Sequence, residues 1–124
     1  MLNQIKNMNS AENNLRVGYI EFPVRDINKT KEFYSTILGW KFEDYGPDYT
    51  CFHDGRIGGG FYTSAEVKVG GPLVVIYSTD IDAMQKKVSA AGSKIVKPIF
   101  EFPGGRRFHF IDPSGHELAI WTDK

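Results

Sequence analysis

The stretch "VRDINKTKEFYSTILGW", residues 24–40, reads as a helix with both ends marked. Asp26 or Asn28 offers a side-chain oxygen to the unpaired N–H groups of a first turn. Phe33, Tyr34, Ile37 and Leu38 recur at helical spacing, and Gly39 is placed to take the positive φ that ends a helix. Before it, "LRVGYIEFPV" (15–24) alternates with period two, as a strand does. After it, "WKFEDY", "YTCFHD" and "IGGGFY" are short strand-like runs separated by the turn formers Gly46-Pro47-Asp48 and Asp54-Gly55. The same order of events returns in "PLVVIYSTDIDAMQKKVSAAGSKIVKP" (72–98). Asp80-Ile81 there matches Asp26-Ile27, and Gly92 matches Gly39, at offsets of about 53 to 54 residues. A repeat of this kind decides the fold class. The chain is α+β, two β-α-β-β-β modules over about 15–64 and 72–122, with helices near 28–37 and 82–91.

Composition narrows the class of partner. Of the 124 residues, 41% are apolar, enough for one sizeable core or two small halves. Fifteen basic side chains balance fifteen acidic ones with no basic block, so the charge pattern that nucleic acid or an anionic membrane requires is missing. No apolar run approaches the roughly 20 residues of a membrane span, and the N-terminus shows neither an apolar signal core nor a cleavage motif. A cytoplasmic protein is expected. The single cysteine, Cys51, fits a reducing compartment and leaves no thiolate cluster to hold a metal. Residues 1–14, polar and rich in Asn, are expected to form a flexible tail.

Two motifs carry a family resemblance. Residues 24–40 resemble the V-x-D, FY, LGW segment of the vicinal oxygen chelate superfamily, which contains glyoxalases such as lactoylglutathione lyase, bleomycin-resistance proteins and extradiol dioxygenases. "FHFIDPSGHELAIW" (108–121) resembles that family's closing F-x-DP-x-G-N-x-x-E segment. The resemblance spans nearly all of 15–122. It implies paired βαβββ modules whose sheets curl into a cup, a site on the concave faces, and a homodimer. It also implies a divalent metal at four positions, which fall here on Tyr19, Leu73, Ala119 and the run Gly58-Gly59-Gly60. Leu, Ala and Gly bring no donor, so no metal is expected there; a metal would need a noncanonical site.

Alternation says which side chains share the faces turned away from the helices. Tyr19 and Glu21 share one on the first strand, with Ile20 and Phe22 on the helix side. Leu73, Val75 and Tyr77 follow on the strand that opens the second module. Arg107 and His109 alternate with Phe108 and Phe110, and Glu117, Ala119 and Trp121 alternate with Leu118 and Ile120. His116 is expected to point away. The candidate ligand-binding set is therefore Tyr19, Glu21, Leu73, Tyr77, Arg107, His109 and Trp121. Candidate acid/base groups are Glu21, His109 and Glu117.

Three readings stay open. One is a binding protein that holds a small planar ligand on Tyr19, Tyr77 and Trp121, with Glu21 or Arg107 fixing its polar end. Another is a lyase, isomerase or dioxygenase-type enzyme, related to glyoxalase by resemblance, using Glu21, His109 or Glu117 as acid/base groups or as ligands of a shifted metal site. The third is a structural or partner-binding role. More ordinary roles compete at each position. Glu21 and Arg107 would form an ion pair, Cys51 and His53 would be unrelated strand neighbours, "GGG" would mark a bulge or a close approach of backbones, and "PGG" at 103–105 would be a turn.

Overall fold

In a computed structural model, residues 14, 15 and 17–124 are described. The tail expected over 1–14 lies, but for Asn14, outside them. The chain divides into two compact units between Val67 and Lys68.

In the first unit, β1 (Tyr19–Val24), α1 (Ile27–Leu38), β2 (Lys41–Asp44), β3 (Tyr49–His53) and β4 (Gly58–Thr63) form a sheet of order β1-β4-β3-β2, with β1 parallel to β4 and the other pairs antiparallel. Asp26 is the N-cap of α1, its carboxylate accepting from the Lys29 N–H at 2.9 Å. Gly39 closes the helix at φ 70, where a side chain would be strained. The buried face of α1 is Thr30, Phe33, Tyr34 and Ile37. Tyr34 is stacked between Trp40 (5.0 Å between centroids) and Phe61 of β4 (5.3 Å), and Phe52 extends the stack to Trp40 at 4.3 Å.

The second unit repeats the pattern with β5 (Val74–Tyr77), α2 (Ile81–Ala90), β6 (Ile95–Phe102), β7 (Gly105–Ile111) and β8 (Glu117–Thr122), in sheet order β5-β8-β7-β6. Asp80 caps α2 through the Ala83 N–H at 3.1 Å. Ile81 and Val88 of α2 are buried, as are Phe108, Phe110, Leu118 and Ile120 on the sheet. The one-residue difference between the two repeat offsets has a structural cause. Helix α2 is two residues shorter than α1, 10 against 12, while Gly39 caps α1 directly and Gly92, at φ 87, comes one residue after the Ala91 cap of α2.

Both helices lie within one residue of their expected bounds at each end. Leu73 stands one residue before β5 rather than in it. The glycine run is no bulge: Gly58, Gly59 and Gly60 keep regular register with Tyr19, Ile20 and Glu21 of β1. The register shifts fall instead in β6, between Ile95, Lys97 and Phe100, around Pro98, which has no N–H to give a ladder. Pro103 and Gly104 make the tight β6–β7 turn, as expected of "PGG". No helix among the described residues is long and apolar enough to cross a membrane.

Candidate functional site

On the first sheet, the face away from α1 carries a chain of hydroxyl groups. Tyr49 Oη donates to Glu21 Oε2 at 2.8 Å and lies 2.6 Å from Tyr19 Oη, which is 3.4 Å from Cys51 Sγ. A phenol has one proton to give. With that of Tyr49 committed to Glu21, Tyr19 donates to Tyr49, and Cys51 S–H points to Tyr19. Glycine at position 60 makes the chain possible, because a Cβ there would collide with the Tyr49 phenol. The neighbour that Gly60 admits is thus a side chain of its own module rather than the approaching backbone expected of the glycine run.

Burial pushes the Tyr49 phenol up to about 12, the bond to Glu21 adding to it. Burial moves Tyr19 further in the same direction, reinforced by its bonds to Cys51 and Tyr49. Since both folded values exceed the free value of 10.0, the folded protein keeps phenol protons that the unfolded chain releases. Their contribution to stability is complete below about pH 10 and is lost as pH rises from 10 toward 12 and beyond. Urea unfolding midpoints measured across that range are expected to fall with pH, and more shallowly for Tyr49→Phe.

Glu21 accepts from Tyr49, and Arg107 lies over aromatic rings of its own module. Cys51 and His53 do not form a nucleophile and base. Cys51 is in contact with Tyr19, and His53 Nδ1 accepts from the Gly55 N–H at 3.0 Å.

On the second sheet, the face away from α2 brings together Tyr77, Arg107, His109, Glu117 and Trp121. His109, 3% exposed, places Nδ1 2.7 Å from Glu117 Oε2. As an ionised Glu only accepts, Nδ1 is the donor and Nε2 is left facing away from Glu117. The Arg107 guanidinium lies over Phe100 at 5.4 Å and Phe102 at 5.3 Å, a cation–π arrangement. Trp121 meets Tyr77 edge-on at 5.2 Å and lies 6.4 Å from Phe102. Tyr77 Oη donates to Asp123 at 2.7 Å, and that bond raises the phenol's pKa and lowers the carboxyl's. Two nitrogens on this face, Arg107 Nε and His109 Nε2, are buried with no hydrogen-bond partner. His116 is buried in the β7–β8 turn.

Three residues of these faces were not among the expected ones: Tyr49, Phe100 and Phe102. Tyr49 is two residues from Cys51 on the same strand, so alternation reaches it. Phe100 and Phe102 face Arg107 and Gly105 across the Pro103-Gly104 turn, and that turn gives their register.

The superfamily's metal does not fit the residues present. Leu73 and Ala119 have no donor atom, the Tyr19 phenol holds its proton inside the hydroxyl chain, and Tyr49 fills the space that an acid at position 60 would need. Among the described residues no group of three or more His, Cys, Asp or Glu side chains converges. A shallow groove of about 490 Å³ lies elsewhere, between α2 and β6, lined by Gln85, Lys86, Ser89 and Pro98 among others. Its Gln85 side chain is already bonded to the Ile99 N–H, so it offers little chemistry.

The family model of the Glyoxalase/Bleomycin resistance protein/Dioxygenase superfamily matches residues 16–120. A Mycobacterium tuberculosis protein named "Putative glyoxylase CFP32" is 25% identical over 123 residues, covering 84% of this chain and 44% of that protein. The chain thus spans under half the length of that relative. An uncharacterized protein of Mycolicibacterium smegmatis is also 25% identical and is covered over 92% of its length. Among solved structures, a glyoxalase/bleomycin resistance protein/dioxygenase family enzyme from Burkholderia phytofirmans PsJN aligns with TM-score 0.78 at 18% identity, over 86% of this chain and 98% of that one. The fosfomycin resistance protein FosX from Listeria monocytogenes, complexed with Mn(II) and 1S,2S-dihydroxypropylphosphonic acid, aligns with TM-score 0.76 at 18% identity, over 86% and 89%.

Proposed function

The chain belongs to the Glyoxalase/Bleomycin resistance protein/Dioxygenase superfamily, and from that premise we propose that it binds a small organic ligand on the face of its second module away from α2, without the superfamily's metal centre. The observation that carries this reading is the aromatic lining of that face. Phe100, Phe102, Tyr77 and Trp121 stand on the side of the sheet away from α2, and none is fully buried. Aromatic surface kept out of a core, with a few polar groups set into it, is the usual composition of a small-molecule site. The name of FosX and the phosphonic acid bound to it support small-molecule recognition on this fold. A cytoplasmic location and a homodimer belong to the same proposal.

The chain's two tryptophans allow a direct test. Trp40 is stacked in the first core, whereas Trp121 stands on the proposed face. Ligands identified by native mass spectrometry of gently purified protein should quench fluorescence in the wild type and not in Trp121→Phe. Equal quenching in both proteins would sink the reading, as would a stoichiometric transition metal found by elemental analysis at Tyr19, Leu73 and Ala119.

One observation favours a second reading, an acid/base enzyme of the lyase or isomerase kind. The 2.7 Å contact between His109 and Glu117 fixes an imidazole tautomer with Nε2 free to take a proton. On that reading His109→Gln abolishes turnover of the ligand while leaving its binding measurable.

A further inference from the structure

We infer that the face of the second module away from α2 is a site for a planar monocarboxylic acid, whose oxygens meet Arg107 Nε and His109 Nε2 and whose flat body rests against Trp121. The inference rests on the ligand-face reading and gives it a chemical class.

Three observations lead there. The first is the pair of unsatisfied nitrogens. A buried polar nitrogen without a partner is uncommon and costly, yet the Arg107 Nε–H and His109 Nε2, the ring nitrogen not committed to Glu117, both lack one. They belong to residues two apart on β7, on the same face of the sheet, so one small group with two oxygens is suited to serve both.

The second is how each nitrogen is held. Phe100 and Phe102 underlie the Arg107 guanidinium, and His109 is tied by Nδ1 to Glu117 and lies 5.8 Å from the Phe100 ring. Both groups are oriented before a ligand arrives, which reduces the entropy lost on binding. With Nδ1 donating to Glu117, a neutral His109 has no hydrogen on Nε2, so an ionised acid binds there with uptake of one proton from solvent, which then lies between Nε2 and the acid oxygen.

The third is charge and shape. Glu117 keeps a carboxylate beside His109, so a phosphate dianion would set two negative charges against it where a carboxylate sets one. Trp121 is directly opposite Arg107 in the β7–β8 register, next along β8 from the side chain of Ala119 on this face. A flat ring system is therefore the body that can leave its carboxylate at Arg107 and still cover Trp121.

Calorimetric titration with 2-naphthoate, its neutral amide 2-naphthamide and the non-planar cyclohexanecarboxylate tests this. On the wild-type protein 2-naphthoate is expected to bind at least about tenfold more tightly than either of the others, the range for one charge-assisted hydrogen bond. Arg107→Met and His109→Gln should each weaken 2-naphthoate by about 10- to 100-fold and weaken the amide, which makes only neutral hydrogen bonds there, by less. Equal affinity for acid and amide, or an unaltered Arg107→Met, overturns the acid assignment while the ligand-face reading stands. Binding of the acid that leaves wild-type fluorescence unchanged, or that quenches the wild type and Trp121→Phe equally, places it elsewhere and overturns both. Absence of binding by all three probes overturns the acid assignment alone, since the ligand-face reading is judged by copurified ligands. Should Arg107→Met fail to fold, the comparison of acid with amide on the wild-type protein still decides.

Discussion

Replacing Phe61 with Ala is expected to lower stability by about 3–5 kcal/mol, the range for removing a buried aromatic ring from a core that cannot collapse around the gap. Phe61 is fully buried in the middle of β4 and is the ring on which the first core converges. Tyr34 stacks on it at 5.3 Å, Phe52 lies at 5.0 Å and Phe22 at 5.5 Å. Each of these neighbours is anchored on a different element, α1, β3 and β1, so none can move into the space without leaving its own. Phe61→Leu, which keeps most of the volume, should cost markedly less. Urea unfolding followed by circular dichroism would show the difference, and a loss under 1 kcal/mol for Phe61→Ala would contradict the packing described.

Asp112→Ala is the second large effect, at about 2–4 kcal/mol. The Asp112 carboxylate, 4% exposed, accepts from the N–H groups of Ser114 and His116, both at 2.9 Å, and so organises the β7–β8 turn with Gly115 at φ 95. Truncation strands two buried donors, each worth roughly 1–3 kcal/mol when left unpaired. Asp112→Asn keeps an acceptor oxygen and should recover much of the loss. Because the turn sets where β8 begins, Asp112→Ala is also expected to disturb the His109–Glu117 contact, visible as a changed His109 imidazole signal by NMR. An unchanged signal in a folded variant would separate the turn from the site.

Much of this architecture was legible in the sequence because it follows from local rules. The caps Asp26 and Asp80, the closing glycines, and the alternation placing Arg107 and His109 opposite Phe108 and Phe110 all act within a few residues. Partnerships across strands were less legible. The register of β3 gives Tyr49 to Glu21, and the β6–β7 turn gives Phe100 and Phe102 to Arg107, neither of which alternation within one strand could supply. The register shifts in β6 around Pro98 had no counterpart in the first module from which the repeat could forecast them. The contact of His109 with Glu117 needed the length of the Asp112-to-His116 turn, although alternation had already put both residues on one face.

A crystal structure grown with both 2-naphthoate and Mn(II), with the metal located by its anomalous scattering, tests the central claim most directly. A carboxylate is expected within hydrogen-bond distance of Arg107 Nε and His109 Nε2, its rings against Trp121, with no manganese at Tyr19, Leu73 and Ala119. Manganese held at those three positions, or the acid seated away from Arg107 and His109, would contradict it.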